Sequence, residues 1–276
     1  MDEVNNQIAA RPRRCAVVGS WSVELLPRKP YCATYRPDVP VVGFAFDGQS
    51  GVHAFGSDRK IDFRTRPNSL AFVPAGCDVY STSHQGGEYL RLTYERSGDE
   101  TWSCSRRFSD AIDPLAIDAA EQLRCQLLTI DDADELQCER YVETLKERTL
   151  SVLSNNVTKP VARSWMTPRR LRRVEDLIEA RLDTKLTVQS LADELELSGG
   201  FFCRAFHAAV GKAPHDYIID RRVSRARTLL RNGALGQSAV AHASGFSSHA
   251  HMTATFRNRL GVAPGELRAT VGTKRR

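Results

Sequence analysis

The sequence has few cysteines, and they lack the pairings that would give them a structural role. Its 276 residues hold seven, widely spaced and without a C-x-x-C pair. An odd number without close pairs argues against a disulfide framework or a zinc site and favours reduced thiols. We therefore expect a cytoplasmic protein.

Long apolar runs are also missing. No stretch approaches the ~18–20 apolar residues of a membrane span. The polar segment Met1 to Ala10 lacks the apolar core of a secretory signal. We expect no membrane partner. At roughly 100–200 residues per domain, the length predicts two domains, each able to bury its own core.

The N-terminal half lacks the ligand pattern of a metalloenzyme. His53 and His84 are isolated there, without the neighbouring His and carboxylate that a metal-holding β-barrel needs. Nucleophile motifs and phosphate-binding glycine loops are missing too. We predict no catalytic residue, no metal and no cofactor. A metalloenzyme stays open as an alternative.

Positive charge is concentrated in the C-terminal part. From Thr167 to Arg276 there are 19 Lys and Arg against 10 Asp and Glu, a balance of +9, whereas the remaining residues total −3. A basic half beside a slightly acidic half is the electrostatic pattern expected of a protein that binds a polyanion.

The hydrophobic periodicity predicts an α+β multidomain fold. Residues about 15–107 show short apolar or alternating runs separated by turn residues, which indicates a β-barrel or sandwich. Helical spacing follows at about 113–129 and 133–153, where two amphipathic helices either cover the barrel or form a dimer contact. We predict a β-rich domain over 1–155, a linker over 156–166 and an all-α domain over 167–276.

The strongest feature is an internal repeat in the all-α domain. Ala205–Pro214 aligns with Thr255–Pro264 at an offset of 50 residues, with Phe, Gly, Ala and Pro in register. Two copies of one structural unit are therefore expected. Each copy has a short helix, a turn and a Ser-capped second helix. This is the pattern of a helix-turn-helix, placed at about 187–211 and 236–261.

The second helix of such a unit presents its N-terminal residues to base edges in the major groove. The residues predicted to contact DNA are Ser198, Gly200, Cys203, Arg204, His207, His249, Ala250, Thr253 and Arg257. Arg204 is the leading candidate to read guanine, because its planar fork matches O6 and N7. A phosphate contact or a surface ion pair is the alternative for Arg204.

The long helix predicted between the two units is rich in arginine. Arg221, Arg222 and Arg225 are predicted to contact phosphate there, because the helix lies between two DNA-reading units. Without that placement, the same residues would be an ordinary solvated face.

A second basic group lies in the β-rich domain. Strand alternation places Lys60, Asp62, Arg64 and Arg66 on one face. That face is either a solvated outer face that protects a sheet edge or a site for a small molecule that carries phosphate or carboxylate, with a nucleotide messenger among the candidates. On the second interpretation, Lys60, Arg64 and Arg66 are effector-binding residues.

The stretch from Leu191 to Arg268 resembles the DNA-binding domain of AraC/XylS-family regulators. Its matching residues include Leu191, Ala192, Ser198, Phe206, Gly211, Tyr217, Ile218, Arg222, Ala226, Ala241, Gly245, Phe246, Phe256, Gly261, Pro264 and Arg268. The segment Pro67–Gly76 resembles the cupin-type effector domain of that family.

This resemblance implies a transcription regulator that binds double-stranded promoter DNA, contacts RNA polymerase and forms a homodimer. It also implies a small-molecule effector, of unknown identity, in the N-terminal domain. The residues do not distinguish activation from repression. The remaining alternatives are a cupin-type metalloenzyme fused to a DNA-binding domain and an effector-independent architectural DNA binder. The resemblance also implies a bacterial protein associated with the nucleoid.

Two positions depart from the family pattern. Glu196 stands in the first turn where the family has Gly, and a left-handed backbone there would cost a non-Gly residue about 1–2 kcal/mol. Ala254 stands in the second reading helix where the family has Arg. We therefore expect a strained first turn, and base reading by the second unit stays an open question.

Overall fold

The computed structural model describes residues 14–94, 102, 106–129, 134–154 and 165–267. The predicted linker at 156–166 lies largely outside these residues. Strands precede helices along the chain, which confirms the α+β class. Within the described ranges, no helix has the length and apolarity to span a bilayer.

The β-rich part consists of two antiparallel sheets. Their strands are β1 (Arg14–Val18), β2 (Trp21–Leu26), β3 (Tyr31–Tyr35), β4 (Val41–Ala45), β5 (Gln49–Phe55), β6 (Ile61–Thr65), β7 (Ser69–Val73), β8 (Val79–Ser83), β9 (Tyr89–Tyr94) and β10 (Phe108–Ala111). One sheet has the order β1-β2-β9-β4-β7-β10, and the other β3-β8-β5-β6. Among the described residues no backbone pairing joins the two sheets, so the predicted barrel is not closed.

Two helices, α1 (Pro114–Leu128) and α2 (Glu135–Leu153), cover the larger sheet. Leu90 and Leu92 alternate with more exposed residues along β9, because successive side chains of a strand point to opposite faces. They pack in one cluster with Leu123 of α1 and Leu145 of α2. The helices therefore cover the sheet, as one of the two sequence-based interpretations expected.

The C-terminal part is helical. Its helices are α3 (Pro168–Ala180), α4 (Val188–Asp193), α5 (Gly199–Val210), α6 (Pro214–Asn232), α7 (Gln237–Ala243) and α8 (His249–Leu260). Thr167 caps α3, since its side chain accepts a hydrogen bond from the Arg170 backbone N–H, and Pro168 follows at the first helical position.

Two hydrophobic clusters divide these helices. The first lies around α3, α4 and α5 and takes in Tyr217 and Ile218 from the start of α6. The second lies around α7 and α8 and takes in Ile219 and Val223, which come next along α6. Helix α6 is therefore shared by both units and connects them.

The turns of the two helix-turn-helix units have equivalent backbone hydrogen bonds. The Leu197 N–H donates to the Ala192 carbonyl at 3.0 Å, and the Phe246 N–H donates to the Ala241 carbonyl at 2.9 Å. Both turns need a left-handed residue, which is Glu196 with φ +57° in the first and Gly245 with φ +83° in the second. The expected left-handed backbone at Glu196 is therefore present.

Replacing Glu196 with Gly should stabilise the protein. The left-handed backbone costs a non-Gly residue roughly 1–2 kcal/mol, and the greater freedom of Gly in the unfolded chain offsets part of the gain. We expect a net gain of about 0.5–1 kcal/mol in the free energy of unfolding, measured by urea denaturation.

The matched change Gly245→Ala should have the opposite effect. A Cβ at Gly245 would collide with the Leu182 carbonyl in addition to straining the turn. A loss of stability in Glu196→Gly would contradict the assignment of strain to the first turn.

Candidate nucleic-acid interface

Helix α5 has a buried face and an exposed face at its N-terminal end. Ser198 caps the helix, its Oγ accepting a hydrogen bond from the Phe201 N–H at 3.4 Å. Phe202 and Phe206 are fully buried. Arg204 and His207 are exposed on the other side, as Gly200 is, while Cys203 is half-buried. The predicted contact residues of the first unit therefore lie on its exposed side.

Helix α8 repeats this arrangement. Ser248 caps it, and Met252 and Phe256 are fully buried. His249, Ala250 and Arg257 are exposed, and Thr253 is half-buried. Helices α5 and α8 thus present corresponding surfaces. We call them the reading helices, because the sequence predicts that they contact base edges.

The exposed face of α8 carries a small polar cluster next to Ala254. His249 Nε2 lies 2.6 Å from Gln237 Oε1 and 3.4 Å from Thr253 Oγ1. These contacts orient the His249 ring and offer donors and acceptors where Ala254 provides none.

The arginines predicted to contact DNA divide into two sets. Arg204, Arg225 and Arg257 make no side-chain hydrogen bond or ion pair to any other residue that the structure describes. Arg204 and Arg257 are exposed, and Arg225 is half-buried. These guanidinium groups are available to an external anion.

The other predicted phosphate contacts are engaged within the protein. Arg222 donates to the carbonyls of Leu182 and Thr184, both at 3.1 Å. Arg221 is buried, donates to Asp47 at 2.9 Å and pairs with Glu179. In this conformation Arg221 is buried and Arg222 is half-buried, and the N–H groups that make these bonds are not free to bind phosphate.

The C-terminal region matches known DNA-binding sequences. The family described as Helix-turn-helix domain matches residues 191–270. The protein described as "Probable transcriptional regulator LumQ" from Photobacterium leiognathi is 28% identical over 170 residues, which cover 62% of this chain and 63% of that protein. The HTH-type transcriptional regulator ArgR from Pseudomonas aeruginosa is 30% identical over 92 residues, which cover 33% of this chain and 28% of ArgR.

The helical C-terminal domain is similar to AraC-like transcription regulators, and we call it the AraC-type domain. The family match takes in both reading helices and the connecting helix α6. A solved AraC-type DNA-binding domain from Chromobacterium violaceum is 29% identical, with a TM-score of 0.36, covering 39% of this chain and 96% of that one. The chain spans less than two thirds of the length of LumQ and of ArgR.

Asp47 of the N-terminal domain binds α6 of the AraC-type domain. Its Oδ1 accepts hydrogen bonds from Arg221 and from the Ser224 hydroxyl, both at 2.9 Å, and its Oδ2 accepts from the Glu88 backbone N–H. Burial by itself would raise the pKa of Asp47, but Arg221 and the Glu88 N–H outweigh it and hold the pKa below its usual value.

Glu88 forms a second buried contact with α6. It pairs with Arg227 of α6 and with Arg124 of α1, the latter at 3.4 Å. Burial again opposes the charge, but Arg227 and Arg124 lower the pKa of Glu88 below its usual value. Sequence reasoning missed both carboxylates. Asp47 is followed by Gly48 and resembles a turn residue, and Glu88 has no distinguishing neighbours.

The predicted effector residues do not converge on one site. Lys60 lies over the Tyr80 ring, 4.1 Å from its centre. Arg64 instead pairs with Glu175 at 3.3 Å and Asp176 at 3.4 Å on α3. Arg66 donates to the carbonyls of Asp110 and Ala209. Two of the three basic side chains therefore reach the AraC-type domain.

Metal-ligating clusters and disulfides do not occur among the described residues. His53 stacks on Phe63 at 4.7 Å, which gives it a packing role. The cavity between the domains, lined by Asp47, Glu88, Arg124 and Arg221 among others, holds about 20 Å³. That is room for about one water molecule, so charged side chains largely fill the space between the domains.

Replacing Asp47 with Asn should destabilise the interface between the domains at neutral pH. Breaking this buried pair leaves Arg221 with Glu179 as its remaining carboxylate partner. Loss of one partner of a buried pair costs up to about 3–5 kcal/mol. Because the folded pKa of Asp47 is lowered, the stabilisation is complete above about pH 4 and is lost as pH falls through the folded pKa. The wild type and Asp47→Asn should therefore converge in acid.

The measurement is urea denaturation followed by tryptophan fluorescence at a series of pH values. Asp62→Asn, at an exposed position of β6, is the matched control and should change little. A gap between Asp47→Asn and wild type that does not depend on pH would contradict the ion-pair assignment.

Proposed function

We propose that this chain is a transcription regulator that binds a specific duplex DNA sequence through α5 and α8, under the control of its N-terminal domain. The observation that carries this proposal is the division of the arginines. Arg204 and Arg257 are unengaged on the exposed faces of the two reading helices, whereas Arg221, Arg222 and Arg227 are engaged inside the protein.

The roles of the exposed residues follow from their chemistry. Arg204 would read guanine, since its fork can donate to O6 and N7 together. His249 and Thr253 would contact base edges from α8, and Arg225 and Arg257 would contact phosphate. Cys203 and His207 extend the reading face of α5. Phosphate contacts fix the register on the duplex, and base contacts select its sequence.

Control by a small molecule would act through the contacts between the domains. An anionic effector at β6 would compete with Glu175 and Asp176 for Arg64. A ligand shifts an equilibrium only if it binds the two states with different affinity. The exchange of Arg64 between α3 and the effector would supply that difference.

Replacing Arg204 with Ala should weaken binding to the preferred sequence by about 1–3 kcal/mol and relax selection at one base pair. Arg257→Ala should weaken binding about equally on all sequences and reduce its dependence on salt. The experiment selects duplexes from a random pool with the full chain and then measures affinity at several salt concentrations.

Selection of no common sequence would contradict a site-specific regulator and favour an architectural binder, which would protect many sites. If Arg204→Ala lost the same affinity on all sequences, Arg204 would contact phosphate and not a base. The exposed residue Glu196 offers a control on the same unit, because Glu196→Gln should leave selection unchanged.

Inorganic phosphate and small dicarboxylates provide a first test of the anionic effector. We expect at least one of them to raise the melting temperature of the full chain through Arg64, and Arg64→Ala to abolish the shift. Arg36→Ala, at an exposed position of the N-terminal domain, should retain it. An equal shift in Arg64→Ala would show that the anion binds elsewhere.

A further inference from the structure

One face of α1 is directed at the AraC-type domain. Ile117, Glu121, Cys125 and Thr129 follow one another at intervals of four residues, and such residues lie on one side of a helix. The neighbouring face, with Leu123 and Leu127, is buried in the N-terminal core. Helix α1 therefore has one face for each domain.

The two ends of this face contact equivalent points of the repeat. Gly211 ends α5 and Gly261 ends α8, both in the left-handed conformation. A Cβ on Gly211 would collide with Ile117, and a Cβ on Gly261 would lie 3.3 Å from Thr129. Each reading helix thus ends against α1.

Polar contacts hold the two ends in place. Lys212, which follows Gly211, is buried and pairs with Glu121 and with Asp220 of α6. The Cys125 thiol donates to the Arg259 carbonyl at 3.4 Å in the last turn of α8. The contact points at Ile117 and Thr129 are about 18 Å apart along the helix, at 1.5 Å per residue.

Within the AraC-type domain, the two units are joined by α6 and by the close approach of Gly245 to the Leu182 carbonyl. Their cores are separate clusters, and α6 is the helix that contributes buried side chains to both. Leu128 of α1 also packs against the second cluster. Helix α1 is therefore a further connection between the units, alongside α6.

We propose that α1 is a brace that fixes the spacing of the two reading helices and so determines which separation of DNA half-sites the chain accepts. Glu121, Cys125 and Thr129 are positioning residues in this account, since they act through α5 and α8. Because α1 is also part of the N-terminal core, a change in that domain alters half-site spacing. The inference rests on the proposed DNA binding.

The test uses the full chain and a duplex that the wild type selects from a random-sequence pool. One base pair is inserted or removed between the two contacted segments, which shifts one half-site along and around the duplex. The wild type should prefer its own spacing by roughly fivefold or more, the lower end of typical couplings between sites. Glu121→Ala/Cys125→Ala should lose most of that preference.

Two comparisons separate positioning from folding. The double variant should keep wild-type affinity for a duplex with a single half-site, which a merely misfolded protein would not. Gln122→Ala changes an exposed residue of the same helix and should keep the full spacing preference. Glu121→Gln alone, which removes the charge and keeps the helix, should give a smaller loss in the same direction.

An unchanged spacing preference in the double variant, with intact single half-site binding, would overturn the brace. The brace would also be overturned if the wild type, like the variant, bound duplexes of every half-site spacing equally well. Failure of the wild type to select any sequence would instead contradict the proposed function itself, so the two failures are distinguishable.

Discussion

Buried ion pairs between the N-terminal carboxylates and the arginines of α6 hold the two domains together. Asp47 binds Arg221, and Glu88 binds Arg227 and Arg124, in a space with room for little water. A buried charge is tolerated only when it is paired and hydrogen-bonded. Each of these buried charges is therefore stabilised by a partner of opposite charge. The arrangement of the two domains depends on all of these ion pairs together.

The same ion pairs define the surface left for DNA. Carboxylates and carbonyls occupy Arg221, Arg222 and Arg227. Among the residues predicted to contact DNA, the unengaged guanidinium groups are therefore those of Arg204, Arg225 and Arg257. Internal pairing removes part of the basic charge of α6 from the surface and leaves Arg204 and Arg257 exposed on the two reading helices.

Much of the C-terminal domain could be predicted from sequence, because its signals are local. Ser198, Ser248, Gly211 and Gly261 mark helix ends through their own backbone chemistry, and the repeat gives the turn at Glu196 a counterpart at Gly245. The exposed face of α5 could be predicted from the spacing of Phe202 and Phe206, which are buried on the opposite face.

The contacts between the domains could not be predicted in this way. Arg221 and Arg225 are both arginines of α6, yet Arg221 is buried and paired whereas Arg225 has no partner among the described residues. The difference depends on Asp47, far away in sequence, and no local pattern indicates it. The basic residues of β6 illustrate the same limit, since alternation grouped Lys60 with Arg64 but their partners lie on different elements.

The most direct measurement of the central claim is a guanine-methylation interference footprint of the full chain on its selected duplex. If α5 and α8 both read DNA, two segments should be affected on one face of the duplex, roughly 34 Å or one helical turn apart. A footprint confined to one major-groove segment would contradict the account, because only one of the two reading helices would then contact DNA.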